Sequence, residues 1–264
     1  EYGITPIQAL EIINKLHFLS TMQLGKIPTQ TLKKGKNNSS LITFYSQKTY
    51  SFQNHSFLFS YGTDEIEKLF HPQLAHLEVC KSEFIPQKIF LYLSSGNYQI
   101  KLNGNFIGSW KREEEHFFKG RVFEVILNTL YSCKWMGVLH ASAIGNNKNS
   151  LLFLGNSGSG KSTATALAVS NGQFFIADDF VAVNLYGEAF VFPAALSLKG
   201  KTIDLLGKHF LDSNQYVKNL DNNRSVHHLS LPIIQNSSSR KVKHLVFVDY
   251  NLNVDFEFKS LKKQ

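Results

Sequence analysis

The sequence predicts an α/β (α+β) protein of two domains, and three observations lead to that prediction. The chain has 264 residues, enough for one large hydrophobic core or two modest ones. The first half combines helical patterns with a predicted β-hairpin, and the second half joins a strand to a helix through a glycine-rich loop. We expect a small N-terminal α+β domain over residues 1–135, of no assigned role, and a C-terminal domain over residues 136–264.

The first predicted element is an amphipathic helix that begins at Thr5-Pro6. Threonine is a good N-cap, and proline fits the first turn of a helix. The apolar residues that follow at helical spacing are Ile7, Leu10, Ile13 and Leu16. From Gln30 to Asn54 polar and basic residues prevail without clear periodicity, which predicts an irregular loop without chemistry.

A strand, a hairpin and a second helix complete the predicted first half. Lys88 to Leu93 is an apolar run of strand length. The dipeptide Asn103-Gly104 is preferred in tight turns, and it joins Tyr98–Leu102 to Phe106–Trp110 as a hairpin. The second helix is expected to continue to about Trp135, where the domain boundary also falls. Its apolar stripe consists of Val122, Val125, Ile126, Thr129 and Leu130.

Two apolar runs open the second half. Val138 to Ile144 and Leu151 to Leu154 predict one strand each, because they are short and flank a stretch rich in glycine and asparagine. The glycine-rich loop follows the second strand directly, and an alanine-rich helix follows the loop.

Residues 155–162, Gly-Asn-Ser-Gly-Ser-Gly-Lys-Ser, match the P-loop pattern in its required context between a strand and a helix. Glycines let backbone N–H groups turn inward, and the helix N-terminus adds a positive dipole end. Lys161 can then neutralise phosphate oxygens, and the Ser162 hydroxyl can coordinate Mg²⁺. We therefore predict that the chain binds ATP with Mg²⁺. The predicted nucleotide-binding residues are Gly155, Asn156, Ser157, Gly158, Ser159, Gly160, Lys161, Ser162 and Thr163.

The next predicted strand, Phe174 to Ala177, ends in the acidic pair Asp178-Asp179. Acids at this end of such a strand face the phosphate crevice. The pair can supply a Mg²⁺ ligand and a base for an incoming hydroxyl, whereas the alternative is a turn-forming pair of aspartates. With the P-loop beside it, we prefer the functional interpretation.

Composition and charge narrow the class of protein. With 43% hydrophobic and 18% charged residues, the chain is close to the globular average. The net charge of +8 indicates anionic partners in general. The basic residues near the end lack interleaved aromatic residues, so we expect a solvated face and no nucleic-acid partner.

Cysteine usage and hydropathy predict the compartment. Cys80 and Cys133 are far apart and lack metal-ligand spacing, so neither a disulfide framework nor a zinc site is expected. The chain opens on Glu1-Tyr2-Gly3 without a signal-peptide pattern, and no run is long enough to span a membrane. We expect a cytoplasmic protein without a membrane partner, and a homo-oligomer is compatible with the sequence.

The second half resembles the catalytic domain of bacterial HPr kinase/phosphorylase and its relatives, which share a fold with phosphoenolpyruvate carboxykinase. Three parts carry the resemblance at matching intervals: a strand with His140, the P-loop, and the strand end Ala177-Asp178-Asp179. The segment from Phe192 to Gly200 is similar to that of HPr-kinase-like proteins in peptide-modification clusters. The resemblance covers residues 137–200 and implies a divergent branch of these kinases, with residues 136–264 as the catalytic domain.

The resemblance also implies roles for single residues. Asp178 would be the base that deprotonates the acceptor hydroxyl, and Asp179 would hold Mg²⁺ together with Ser162. The two roles can be exchanged, because adjacent strand residues point to opposite faces. His140 would lie beside the pair and tune a carboxyl pKa. Lys199 would reach the γ-phosphate, with a surface lysine as the alternative.

One departure from the family pattern bears on the substrate. Where HPr kinase has a Glu-x-Arg-Gly element, this chain has Ser197-Leu198-Lys199-Gly200, which keeps a positive charge and lacks the carboxylate. The reverse phosphorylase reaction and HPr itself as substrate are therefore in doubt. Further on, one of Arg224, His227 and His228 could bind the nucleotide or the acceptor.

Two functions follow as alternatives. The first is an ATP-dependent hydroxyl kinase whose acceptor is a Ser or Thr of a peptide or protein, or a small molecule. The second is a nucleotide-binding switch or ATPase with weak or no kinase activity, which acts through a partner bound by the N-terminal domain.

Overall fold

The computed structural model describes residues 44–199, 202–203, 206, 215–220, 224–233 and 238–249. The helix predicted from Thr5-Pro6 lies outside these residues. Within them the chain is a mixed α+β protein with three β-sheets, which confirms the predicted class at that level. No helix in the described ranges is long and apolar enough to cross a membrane.

The first sheet has five strands, whose spatial order is their order in the chain. They are β1 (Ser46–Phe52), β2 (His55–Tyr61), β3 (Gln87–Ser94), β4 (Asn97–Leu102) and β5 (Asn105–Trp110). Only the β2–β3 pair is parallel among them, and helix α1 (Asp64–Leu74) makes that crossover. Thr63 caps α1, because its hydroxyl accepts the Ile66 N–H at 3.2 Å.

Two predictions for the first sheet have different outcomes. The predicted β4–β5 hairpin is confirmed, and Asn103 and Gly104 have φ angles of 50° and 86°, as its tight turn requires. The irregular loop predicted from Gln30 to Asn54 is wrong over Ser46–Phe52, because β1 forms there, and its residues 30–43 lie outside the described residues. Tyr50 and Phe52 are buried in the core, and burial of alternate side chains outweighs the polar composition of the strand.

Helix α2 (Glu115–Leu130) packs against both halves of the described chain. The Phe118 ring stacks on Tyr98 of β4 with centroids 4.6 Å apart, and the Phe123 ring lies 5.6 Å from that of Phe180. The prediction that this helix continues to about Trp135 is wrong. The helix ends before Tyr131, because Tyr131 and Trp135 both pack on Phe190, each with ring centroids 5.0 Å apart.

The second sheet has seven strands in the order β6-β10-β11-β15-β8-β7-β9. Its strands are β6 (Trp135–Leu139), β7 (Ser142–Gly145), β8 (Asn149–Leu154), β9 (Phe174–Asp178), β10 (Val181–Asn184), β11 (Glu188–Phe190) and β15 (Ser239–Phe247). Helix α3 (Lys161–Ser170) connects β8 to β9, as predicted. A third, antiparallel sheet consists of β12 (Leu196–Lys199), β14 (Arg224–Leu229) and β13 (Gln215–Leu220), in that order.

The run from Val138 to Ile144 forms two strands, so the prediction of a single strand is wrong. Its first part pairs with β10 and its second part with β8 and β9, which breaks the run at His140 and Ala141. A second break, at Asp179 and Phe180, separates β9 from β10. The two breaks place His140 and Asp179 side by side.

Candidate functional site

The glycine-rich loop between β8 and α3 has the tight backbone that its sequence predicts. Gly155, Gly158 and Gly160 have φ angles of 145°, 84° and 98°, in the region that favours glycine. A Cβ at Gly155 would lie only 2.4 Å from the Val248 carbonyl oxygen and 2.7 Å from Ser159 Oγ. The loop therefore folds tightly over the start of α3.

Lys161 is the first residue of α3 and points back into the loop. Its Nζ donates to the carbonyl oxygens of Gly155 at 2.9 Å and Asn156 at 3.0 Å, and only 5% of the residue is exposed. Burial lowers the pKa of Lys161, although the carboxylates of Asp179 and Asp178 oppose that shift. The loop thus holds an ammonium group at its centre.

Asp178 is the last residue of β9 and is almost completely buried, with 5% exposed. Its carboxylate accepts a hydrogen bond from the Ser142 hydroxyl. The Ser162 hydroxyl also donates to it, with Oγ 3.0 Å from Oδ2 and 3.1 Å from Oδ1. The Ser197 backbone N–H lies 3.3 Å from Oδ2 as a third donor. Burial, and next the negative charge of Asp179, raise the pKa of Asp178 to about 7, although these hydrogen bonds work against the shift.

Asp179 has the opposite surroundings, although it is the next residue. Its side chain is 49% exposed, and Oδ1 lies 3.3 Å from Nε2 of His140. Partial burial works to raise the pKa of Asp179, but the hydrogen bond and charge of His140 outweigh it. The charges of Lys119 and Lys161 add to that effect, so the pKa is lowered and the carboxylate is ionised at neutral pH.

A cavity of about 340 Å³ lies over the loop and the acidic pair. Several of the predicted site residues line it: His140, Ser157, Gly158, Gly160, Lys161, Ser162, Thr163, Asp179 and Lys199. Asp178 lies behind this wall, and Gly155, Asn156 and Ser159 do not line the cavity either. Of the four predicted catalytic residues, His140, Asp179 and Lys199 therefore lie around one space, and Asp178 lies behind its wall.

The third sheet adds a residue that the sequence only suggested. Of the three residues considered there, His228 lines the cavity, and its Nδ1 lies 3.1 Å from Ser197 Oγ. His227 is not part of the cavity wall and instead contacts Ser225 Oγ at 3.3 Å. The side chain of Arg224 lies outside what the structure describes.

Several residues of the site were missed by sequence reasoning, Thr202 and Val226 of the cavity wall among them. Gln73 of α1 and Lys119 of α2 line the cavity from the first half, where no motif marks them. Ser142 bonds Asp178 from β7, and its only signal is a hydroxyl within an otherwise apolar strand. A polar residue in a buried strand needs a partner, so that signal could have been used.

The oxygen ligands and the positive charge at the cavity fit a nucleotide with Mg²⁺. The described residues contain no cluster of three or more His, Cys, Asp or Glu side chains able to hold a metal. Magnesium bound with a nucleotide takes only one or two protein oxygens besides phosphates and waters. Ser162 Oγ and the Asp178 carboxylate, in mutual contact, are such a pair. The Lys161 ammonium group within the loop and the N-terminus of α3 carry positive charge, which suits phosphate oxygens.

Comparison with known proteins does not assign a family. No protein-family model matches the chain, and a search of curated proteins finds no significant match. The resemblance to HPr kinase/phosphorylase therefore stands on the residues quoted above.

Proposed function

We propose that this chain is an ATP- and Mg²⁺-dependent kinase of an HPr kinase/phosphorylase-like branch, and that it phosphorylates a hydroxyl group. The acceptor is a Ser or Thr of a peptide or protein, or a small molecule. One observation carries the proposal: the Ser162 hydroxyl, in the first turn after the glycine-rich loop, contacts the Asp178 carboxylate at 3.0 Å. That contact joins the predicted phosphate loop to the predicted acidic pair.

The chain's own residues would bind the nucleotide through the loop and α3. Backbone N–H groups of the loop and the Lys161 ammonium group would hold the phosphates, and Ser162 with Asp178 would hold the metal. When bound, Mg²⁺-ATP supplies the phosphoryl group and neutralises part of its charge. Lys199, an exposed residue on the cavity wall, would add positive charge there.

The geometry supports the exchanged assignment of the two acids. Asp178 is buried, and its carboxylate contacts the hydroxyl of Ser162, the other expected metal ligand, at 3.0 Å, which suits a metal ligand. Asp179 lines the cavity, is ionised, and is oriented by His140 at 3.3 Å, which suits a base. In this proposal the Asp179 carboxylate takes the proton of the acceptor hydroxyl, and the Nε2 side of His140 holds that carboxylate in place.

The proposal is tested by substituting the lysine of the loop. Lys161→Ala should weaken ATP binding by about 1.5–3 kcal/mol, or about 10–150-fold, because it removes a charge-assisted phosphate contact. Titration calorimetry with Mg²⁺-ATP measures this loss. Lys148→Ala, at an exposed lysine in the turn before β8, is the matched control and should leave the affinity unchanged.

A second measurement separates the kinase from the nucleotide switch or ATPase. ATP turnover is followed with and without a panel of hydroxyl acceptors, and labelled phosphate is sought on the acceptor. An unchanged affinity of Lys161→Ala for Mg²⁺-ATP would contradict the proposed nucleotide site. ATP hydrolysis without transfer to any acceptor would favour the ATPase.

A further inference from the structure

Ser197 of β12 carries a hydroxyl on the cavity wall that the proposed function leaves without a role. Successive side chains of a strand point to opposite faces, and Ser197 and Lys199, two residues apart, both line the cavity. Leu196 and Leu198, only 0% and 1% exposed, belong instead to an apolar core. Ser197 itself is half-buried, so its side chain is on the face of β12 that meets the cavity.

The backbone of Ser197 lies beside the expected metal site. Its N–H and the Ser162 hydroxyl both contact one atom, Oδ2 of Asp178, at 3.3 and 3.0 Å. In the proposed function Ser162 and Asp178 hold Mg²⁺, and a metal in that position binds oxygens of the β- and γ-phosphates. Ser197 therefore lies near the γ-phosphate end of the nucleotide, provided that the chain binds ATP as proposed above.

The Ser197 hydroxyl also has a base within reach. Its Oγ lies 3.1 Å from Nδ1 of His228, which is directly opposite it on β14 and also lines the cavity. The second neighbour of Oγ is the side-chain amide of Gln73, at 3.1 Å. An amide is not a base at neutral pH, whichever way it is turned, whereas a neutral imidazole is one. A hydroxyl and a base at such a distance are the arrangement of an activated nucleophile.

We propose that Ser197 is a phosphorylation site, which the chain modifies itself with ATP bound in the same cavity. Oγ of Ser197 forms a bond to the γ-phosphorus, and the bond from that phosphorus to the oxygen that bridges it to the β-phosphate breaks. ADP leaves with the electron pair of that bond. The proton of the hydroxyl passes to Nδ1 of His228.

The surroundings of Ser197 suit the product. A phosphoserine carries a charge of about −1.5 to −2, and Lys161 and Lys199 bring positive charge to the same cavity. Phosphate monoesters hydrolyse extremely slowly without a catalyst, so the modification persists. Because one hydroxyl is modified in each cavity, we expect at most one phosphate per chain.

The experiment incubates the protein with Mg²⁺-ATP labelled at the γ-phosphate, in the absence of any added acceptor. Mass spectrometry of the digested chain then locates the phosphate, which we expect on Ser197. The rate per chain should not depend on the protein concentration, because the donor and the hydroxyl share one cavity.

Substitutions of the two residues test their roles. Ser197→Ala should abolish the labelling, and His228→Gln should slow it by about 10²–10⁴, the usual effect of losing a positioned base. Both variants should bind Mg²⁺-ATP within a few-fold of the wild type in calorimetry, which also checks that they fold. The matched controls are Ser225→Ala and His227→Gln. These two residues form another serine–histidine contact, at 3.3 Å, but do not line the cavity, so their variants should label like the wild type.

The wild-type protein alone can overturn the inference, even if the variants do not fold. Binding of Mg²⁺-ATP without phosphate on Ser197, or with phosphate on another hydroxyl of the cavity wall, would do so and leave the nucleotide site standing. A rate that rises with protein concentration would also overturn it, because transfer would then occur between molecules. Undiminished labelling of a folded His228→Gln would overturn the assignment of the base. Absence of ATP binding would instead contradict the proposed function itself.

Discussion

Asp178 and Asp179 are adjacent residues whose side chains meet different surroundings. The first is buried among three hydrogen-bond donors, and the second is half-exposed beside His140. The left-handed backbone of Asp179, with φ at 61°, turns the chain directly after β9 and sends the two carboxylates apart. Aspartate and asparagine are among the few side chains that tolerate this conformation, so an Asp→Asn exchange keeps the backbone at that position.

The first prediction uses that exchange at both positions. Asp179→Asn should slow phosphate transfer by about 10²–10⁴ and leave Mg²⁺-ATP affinity within a few-fold, because the base acts only during transfer. Asp178→Asn should instead weaken metal-dependent nucleotide binding. Single-turnover rates and calorimetry measure the two effects.

Asp64→Asn serves as the control for this pair, since that acid at the start of α1 pairs with Lys68 and does not line the cavity. The reverse pattern would return the base role to Asp178, as the family resemblance first implied. If neither substitution affected transfer, the proposed mechanism would be wrong.

Among the residues of the site, the sequence predicts those that belong to a local motif. The loop residues, the acidic pair and His140 could be predicted together because their spacing is fixed along a short stretch of chain. Gln73 and Lys119 reach the same cavity from positions 82 and 36 residues before Gly155, and nothing local marks them. Their place depends on how α1 and α2 pack, which spacing does not encode.

The glycine-rich loop supports a prediction at the scale of a single element. Gly155 and Gly158 both have positive φ angles, but only Gly155 is crowded, by the Val248 carbonyl at 2.4 Å from an added Cβ. Gly155→Ala should distort the loop and lower both the melting temperature and ATP affinity. Gly158→Ala, with no atom within 4 Å, should cost only the backbone strain of about 1–2 kcal/mol.

Thermal melting and ATP titration of the two variants give the comparison. Equal losses in both would mean that the close approach to Val248 does not shape the loop.

His76, in the turn that follows α1, gives a prediction about pH. Burial lowers its pKa to about 4, although a hydrogen bond to the Pro193 backbone opposes the shift. The unfolded chain therefore binds more protons than the folded one between about pH 6.5 and pH 4. Stability should fall as the pH falls through that window, by at most about 3 kcal/mol from this group.

Urea unfolding at pH 7 and at pH 4.5 measures this loss. His76→Gln should lose less stability between the two pH values than the wild type, and His116→Gln should behave like the wild type. A His76→Gln protein with the wild-type pH dependence would assign the acid sensitivity to other groups.

The elements that were predicted well share a strong local signal. The β4–β5 hairpin has its Asn-Gly turn, and α3 has its glycine-rich start. By contrast, β1 has a mostly polar composition, and only its pairing with β2 and the burial of Tyr50 and Phe52 make it a strand. The end of α2 is likewise decided by Phe190, a residue 60 positions further on that Tyr131 and Trp135 contact.

At the scale of the whole molecule, Phe123 joins the packing of the two halves. Its ring packs against Phe70 of α1, with ring centroids 6.1 Å apart. It also packs against Phe180 and Phe192 of the second half, at centroid distances of 5.6 and 5.2 Å. Phe123→Ala should lower the free energy of unfolding by about 3–5 kcal/mol. Because the side chain packs on both halves, we expect both to unfold in a single transition.

Urea titration followed by tryptophan fluorescence and by circular dichroism checks this, with coincident curves as the expected result. Phe117→Ala, at a neighbouring position that is 41% exposed, should change stability far less. Two separate transitions in the wild type would instead support independent domains divided near residue 135.

The three lysines of the cavity wall also affect how fast a ligand arrives. Lys119, Lys161 and Lys199 come from three different elements, yet they face one space in a chain of net charge +8. A polyanion that approaches this space is attracted before any contact forms, so it associates faster than a neutral molecule of the same size. At physiological ionic strength the attraction extends only about 8 Å, so it draws in anions that diffusion has already brought to the mouth of the cavity.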